Sequence, residues 1–279
     1  MHRSPIARRF AALVTACVLV LGFARVASSE RFLLAQDPPK PATSAPRDEK
    51  RDLRVLFVGN SYCYVNDLPA LVRELASANP RGPQIAVESV TPGGALLKQH
   101  FESTGALEKI RAGGWTHVVL QGQSLEPIMH PDDFQLYAKK LSEEIEKAGA
   151  KVVFYQTWAR REGASEYAEP WSGGTPKKMQ AGLDAAYAKA ASAGHGRVVR
   201  VGDAWAAALA EKKPPALFAD DGSHPSQAGT FLAACVFYEE LAGESCVGIA
   251  VKREGVSEQE AAQLQKLAHG VVAKPPVAH

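Results

Sequence analysis

The chain has 279 residues, 46% hydrophobic and 22% charged, with 32 lysines and arginines against 30 aspartates and glutamates. Residues 1–29 hold four arginines (3, 8, 9 and 25) and no acid, so the remainder carries 28 basic and 30 acidic groups, net −2. With the apparent basicity confined to the first stretch, nothing provides the clustered positive surface that nucleic-acid binding needs, and no such partner is expected.

Arg3, Arg8 and Arg9 precede an uncharged, mostly apolar run over residues 10–24. A run of about fifteen residues suits the core of a signal peptide and falls short of the about 20 that a membrane span needs. Small residues at Val26-Ala27-Ser28 suit cleavage. Residues 1–28 are therefore expected to be a signal peptide that directs the protein to the periplasm or out of the cell. An uncleaved leader acting as a membrane tether is the alternative. Residues 29–51 include a stretch rich in Pro, Ala, Ser, Thr and charge, without apolar periodicity, which reads as a disordered linker. Residues 52–279 then suffice for one domain around one core.

Within that domain short apolar runs alternate with helical periodicity, the pattern of a parallel α/β fold. Val55-Leu56-Phe57-Val58 has the continuous apolar character of a strand covered on both faces. A helix is expected from about Leu68, with Pro69 in its first turn and Leu71, Val72 and Leu75 on one face. Residues 85–90 read as a second strand ending at Thr91-Pro92-Gly93-Gly94, and residues 117–121 as a third. Asp132, with Gln135 three residues on, is expected to cap a helix with Phe134, Tyr137, Ala138, Leu141 and Ile145 inward. Residues 152–155 and 197–201 are the fourth and fifth strands, separated by an Ala-rich helix over 179–193 that ends at Gly194. Helices over 228–241 and from a Ser257/Glu260 capping box to about His269 complete the chain. The expectation is an α/β class, single three-layer α/β/α domain with a five-stranded parallel, doubly wound, flavodoxin-like sheet.

Three cysteines follow the leader: Cys63, Cys235 and Cys246. Cys235 and Cys246 are nearest in sequence, yet an odd count leaves at least one free thiol, and buried unpaired cysteines are the preferred reading. No paired Cys/His spacing suggests a metal site.

Ligands of doubly wound sheets bind beyond the carboxyl ends of the strands, so reactive side chains there carry the functional reading. Gly59-Asn60-Ser61 follows the first strand, where a serine hydroxyl can be exposed beside backbone N–H groups. Alone it is equally good turn chemistry. It is not the Gly-x-Ser-x-Gly elbow, since Cys63 stands where the second glycine belongs. Asp221-Gly222-Ser223-His224-Pro225-Ser226 follows the fifth strand and its long connection. A histidine three residues after an aspartate can be oriented by it while the other ring nitrogen faces a hydroxyl; an ordinary turn aspartate and surface histidine share the spacing. Gly94 follows the second strand and could offer a backbone donor. Gln123, or Gln121, follows the third and could offer an amide.

Taken in order, Ser61, Gly94, Gln123 and the Asp221/His224 pair resemble the blocks of the SGNH/GDSL hydrolase superfamily, over residues 54–241. The Asp-x-x-His block, with Pro225-Ser226 and Gly229 after it, is the most specific part. Two departures stand out: Asn60 replaces the usual aspartate before the serine, and a glutamine stands where the third block carries asparagine. The resemblance implies a serine ester hydrolase, a carboxylesterase or carbohydrate deacetylase, acting on a small-molecule or glycan ester through an acyl-enzyme. Ser61, His224 and Asp221 would be its triad, and the N–H groups of Ser61 and Gly94 with the Gln123 amide its oxyanion hole. No metal or organic cofactor is implied. Asn60, Gln121 and Trp158 are candidate substrate contacts. Arg160 and Arg161 are read as solvated, the Trp171–Gly174 region as a lid or substrate loop, and His100, His117, His130 and His195 as structural. Alternatives on the same fold are a non-catalytic glycan-binding or wall-associated module, and a lipid-acyl hydrolase or acyltransferase.

Overall fold

The computed structural model describes residues 52–275; the expected signal peptide (1–28) and linker (29–51) lie outside the described residues. Five strands, β1 (Leu53–Val58), β2 (Ile85–Val90), β3 (His117–Leu120), β4 (Lys151–Tyr155) and β5 (Arg197–Val199), form one parallel sheet in the order β2-β1-β3-β4-β5. This is the doubly wound order expected of a flavodoxin-like sheet. Val55 through Val58 are fully buried, as the unbroken apolar run required.

Strand alternation sends these residues to two separate cores. Val55 and Phe57, with Val119, Val153, Tyr155 and Val199, pack against α2 (Leu68–Ala78), α8 (Val201–Leu209), α9 (Gln227–Ala242) and α10 (Glu258–Val272). Leu56 and Val58, with Val118, Leu120, Val152 and Phe154, pack on the opposite face. There they meet α3 (Leu97–Glu102), α4 (Ala106–Arg111), α6 (Pro131–Lys147) and α7 (Pro176–Ala193). Two single-turn helices, α1 (Ser61–Tyr64) and α5 (Glu126–Met129), sit in the loops after β1 and β3. Helix α9 is buried on nearly every side, which is why its sequence is apolar all round rather than amphipathic.

Two local expectations are corrected. Helix α6 begins at Pro131 with His130 at its cap position and no side-chain cap; Asp132 lies in the first turn instead, where its charge complements the helix dipole. Strand β5 ends at Val199, because Val201 already opens α8. Cys63, Cys235 and Cys246 are buried free thiols.

The register aligns the strand ends. Val58 lies beside Leu120, Leu120 beside Phe154, and Tyr155 beside Val199. The residues that follow each strand therefore emerge side by side along one edge of the sheet.

Candidate active site

Ser61 is the first residue of α1, directly after β1. Asn60 precedes it as the cap, its Oδ1 accepting from the Tyr62 N–H at 3.3 Å. Gly59 is required by a close approach: a Cβ there would lie 2.6 Å from Gln121 Oε1 and 2.7 Å from Cys63 Sγ. The Asp221–His224 turn is the tip of a short antiparallel excursion. The Ala219 N–H donates to the His224 carbonyl at 2.8 Å, and the Ser226 N–H to that of Leu217 at 2.8 Å. Gly229, at the start of α9, lets that excursion close down: a Cβ would come within 2.3 Å of the Leu217 carbonyl oxygen and 2.7 Å of the Trp205 ring.

These two segments, 163 residues apart, meet at hydrogen-bonding distance. His224 Nε2 lies 2.9 Å from Ser61 Oγ, and His224 Nδ1 lies 2.5 Å from Asp221 Oδ2. A carboxylate only accepts, so Nδ1 carries the ring proton and Nε2 is left to accept from the serine hydroxyl. Asp221 Oδ1 accepts from the Ser223 and His224 N–H groups, each at 2.9 Å. Burial pulls the Asp221 pKa upward, but the bond from His224 and the two backbone donors outweigh it and hold the carboxyl at about 2. The group therefore stays ionised across the neutral range.

Ser61, Gly94, Gln123 and His224 line one cleft of about 390 Å³ together with Tyr64, Ser124, Arg160 and Ser223. Larger cavities exist, including one of about 750 Å³ beside edge strand β5, but none of their linings includes Ser61 or His224. Gly94 adopts φ +68°, a left-handed conformation natural to glycine. Among the described residues, neither the Ser61 nor the Gly94 N–H donates to a protein acceptor, and the Gln123 Nε2 is likewise uncommitted. Gln123 Oε1 accepts from the Leu125 N–H at 3.1 Å, which fixes the amide.

Of the three candidate substrate contacts, Asn60 lines the cleft, while Gln121 and Trp158 do not. Gln121 is fully buried: Oε1 accepts from the Asn60 N–H and Nε2 donates to Asn60 Oδ1, both at 3.0 Å. Asn60 is 1% exposed, and its Nδ2 donates to the Ala95 carbonyl at 3.2 Å. Both amides hold the serine loop. Trp158 is absent from the cleft wall. It is 1% exposed, stacked between Tyr62 (4.3 Å) and Trp205 (3.8 Å), and donates from Nε1 to the Ser223 carbonyl at 3.0 Å. An apolar ring with one polar handle is more stable buried and bonded than at a wet rim.

Other residues acquire parts of which the sequence shows little sign. Arg160 is buried, not solvated. It donates to Glu166 from Nε (2.8 Å), to the Tyr62 hydroxyl from Nη1 (2.7 Å) and to Ser124 Oγ from Nη2 (3.0 Å). The Tyr62 hydroxyl in turn lies 2.9 Å from Ser223 Oγ, so the serine and histidine segments share a polar floor. Arg161 is exposed. Asn66 Nδ2 donates to the Pro225 carbonyl and to Thr230 Oγ1, both at 3.0 Å. His100 is buried with Nε2 at 2.8 Å from the Gly59 carbonyl; that carbonyl can only accept, so Nε2 holds the proton. Burial lowers the His100 pKa to about 4 against the effect of the Gly59 bond, and the ring is neutral. Trp171 packs beside Leu125, Met179 and Leu183, and Ser172 is buried, so the region read as a lid is seated on the domain.

A protein from Slackia heliotrinireducens described as an SGNH hydrolase is 31% identical to this chain, covering 67% of it and 98% of its own length, with a TM-score of 0.58. The chain belongs to the SGNH hydrolases. A DUF4886 family protein from Bacteroides uniformis is 18% identical over 80% of this chain and 96% of its own (TM-score 0.69). An acetylxylan esterase from Geobacillus stearothermophilus is 17% identical over 68% and 94% (TM-score 0.53). These two share the fold. No protein-family model and no curated protein matches the chain.

Proposed function

We propose that the protein is an exported serine ester hydrolase in which Ser61 is the nucleophile, His224 the general base and Asp221 its orienting carboxylate. The observation that carries the reading is the continuous hydrogen-bonded line Ser61 Oγ–His224 Nε2 and His224 Nδ1–Asp221 Oδ2 at the floor of an open cleft. A binding module would have no use for an ionised aspartate holding a histidine in the tautomer that accepts a serine proton.

His224 takes the Ser61 proton as Oγ attacks the ester carbonyl. The carbonyl oxygen becomes an oxyanion beside the uncommitted donors of Ser61 N–H, Gly94 N–H and Gln123 Nε2. The imidazolium, balanced by Asp221, then protonates the leaving alcohol, giving an acyl-Ser61. A water molecule, deprotonated by His224, attacks this acyl group; the acid departs and Ser61 recovers its proton. Each oxyanion donor in such sites contributes roughly 10²–10³ in turnover.

A short acyl group on a carbohydrate is the substrate class best supported. The cleft is small, its wall built from polar side chains and glycines that expose both polar and apolar surface, and Tyr64, half exposed at its rim, offers an aromatic face of the kind sugars pack against. The acetylxylan esterase neighbour agrees with this by analogy of fold. Export rests on the leader-like residues 1–28. The test is hydrolysis of p-nitrophenyl acetate, a longer-chain p-nitrophenyl ester and acetylated oligosaccharides by purified protein. Acetate release from the sugars and preference for the short ester are expected; inactivity on all of them would refute the hydrolase reading.

A further inference from the structure

The loops that carry Gly94 and Gln123 come from different strands, and among the described residues no backbone–backbone hydrogen bond joins residues 91–97 to residues 121–126. Two side chains join them: the Asn60 amide, which bridges Ala95 and Gln121, and a carboxylate. Glu126, 1% exposed at the start of α5, accepts from the Gln123 N–H on Oε2 at 2.8 Å, and from the Leu97 N–H on both oxygens at 3.2 Å. Leu97 opens α3, three residues beyond Gly94. Gly122 leaves room for the carboxylate, since a Cβ there would lie 3.0 Å from Oε2. No lysine or arginine pairs with Glu126 among the described residues.

A buried carboxylate without a counter-charge is costly, and an apolar side chain of similar size would fill the space at lower cost. The cost is offset only by what the two oxygens hold. Ionised, Oε2 accepts from both loops while Oε1 adds a second acceptor for Leu97; an amide with its oxygen in the Oε2 place would set its NH₂ against the Leu97 N–H.

We infer that Glu126 is a positioning residue for catalysis, a two-armed acceptor that sets the Gly94 loop against the Gln123 loop so that their donors converge beside Ser61. The inference rests on the proposed oxyanion hole. Burial raises the Glu126 pKa to about 7, against the bonds from Gln123 and Leu97, with Asp133 raising it further. Asp133 on α6 and Tyr187 on α7 are the ionisable groups that feel its charge. Its hold on the loops is thus expected to loosen within the neutral range.

Two measurements test this, one independent of catalysis. In ¹⁵N-labelled wild-type protein titrated from about pH 5 to about pH 9, the amide protons of Leu97 and Gln123 should move downfield together with one midpoint as Glu126 ionises. In Glu126→Gln that shared transition should vanish. Amides that ignore pH, or titrate with separate midpoints, would overturn the inference. In steady-state hydrolysis of p-nitrophenyl acetate, Glu126→Gln should lower kcat by roughly 10²-fold with KM within about threefold. The acid limb of its pH profile should involve one proton where the wild type involves two. A folded variant with wild-type kcat and an unchanged limb would also overturn it. Shared titration in a protein that hydrolyses no ester would leave the clamp standing and refute the hydrolase reading. Ser61-dependent hydrolysis without shared titration would do the reverse.

Discussion

Asn60 and Gln121 form a reciprocal amide pair beside Ser61: Gln121 accepts from the Asn60 backbone and donates to its side chain, both at 3.0 Å. The pair stitches the loop after β1 to the loop after β3, and it separates the roles of two neighbouring glutamines. Gln121→Ala should destabilise the fold by about 1–3 kcal/mol, because it leaves the buried Asn60 N–H without a partner and takes one of two donors from the Asn60 amide oxygen. Gln123→Ala should stay within about 0.5 kcal/mol of wild type in stability, while its kcat falls roughly 10²–10³-fold. Urea unfolding and initial rates on the two variants check this; a stable, slow Gln121 variant would exchange the assignments.

Restoring the aspartate usual in this superfamily should not help here. Asn60 Nδ2 donates to the Ala95 carbonyl, and Asn60→Asp would set a buried carboxylate oxygen against it. The lost stability, about 1–3 kcal/mol, should be larger at pH 8 than at pH 5. The new carboxyl's folded pKa would be raised, so its stabilising protonated form is lost as pH rises. Thermal melts at both pH values check the sign.

Trp158 is read as core. Trp158→Ala should cost about 3–5 kcal/mol and remove the brace on Ser223. Tyr64→Ala, at a half-exposed rim position, should leave stability nearly unchanged while raising KM for a glycan ester. Differential scanning calorimetry beside KM measurements separates the two.

His100 and His117 are held near pKa 4 by burial, with Arg197 and Lys151 adding to the effect at His117. Between about pH 6.5 and 4 the unfolded chain takes up protons that the native chain refuses, so stability falls as pH drops through that window. Glu126 works the other way: its folded pKa of about 7 lies above the unfolded value, so its contribution is lost as pH rises from about 4.5 to 7. Of these three groups the two histidines prevail, so together they destabilise the fold as pH falls. In His100→Gln the loss of unfolding free energy between pH 7 and pH 5 should be smaller than in wild type; an equal loss would contradict the buried neutral imidazole.

The sheet was legible because its signals are local. Val55–Val58 is apolar on both faces because both faces are covered, and Leu71, Val72 and Leu75 repeat at helical spacing because one face is buried. Gly59 and Gly229 stand where a Cβ would strike the opposing chain, so the Ser61 and Asp221/His224 blocks could be recognised as motifs. The supporting shell was not legible. Arg160, Glu126, His100 and Asn66 act through partners far along the chain, and a polar residue after a strand looks the same whether it meets water or a buried acceptor. Trp158 reads as a substrate contact for the same reason: its neighbours Tyr62 and Trp205 come from other segments, and only the folded chain stacks them. Asp132 reads as the cap of α6 from its residue type alone, whereas Pro131 fixes the first turn without a side-chain cap.

The central claim is that Ser61 becomes acylated. Purified protein incubated with a fluorophosphonate and digested for mass spectrometry should carry one adduct, on the peptide containing Ser61. The adduct should be absent from Ser61→Ala and strongly slowed in His224→Ala and in Asp221→Asn, the last by up to about 10⁴-fold. A protein that hydrolyses esters while Ser61 stays unmodified, or whose labelling survives Ser61→Ala, would contradict the account.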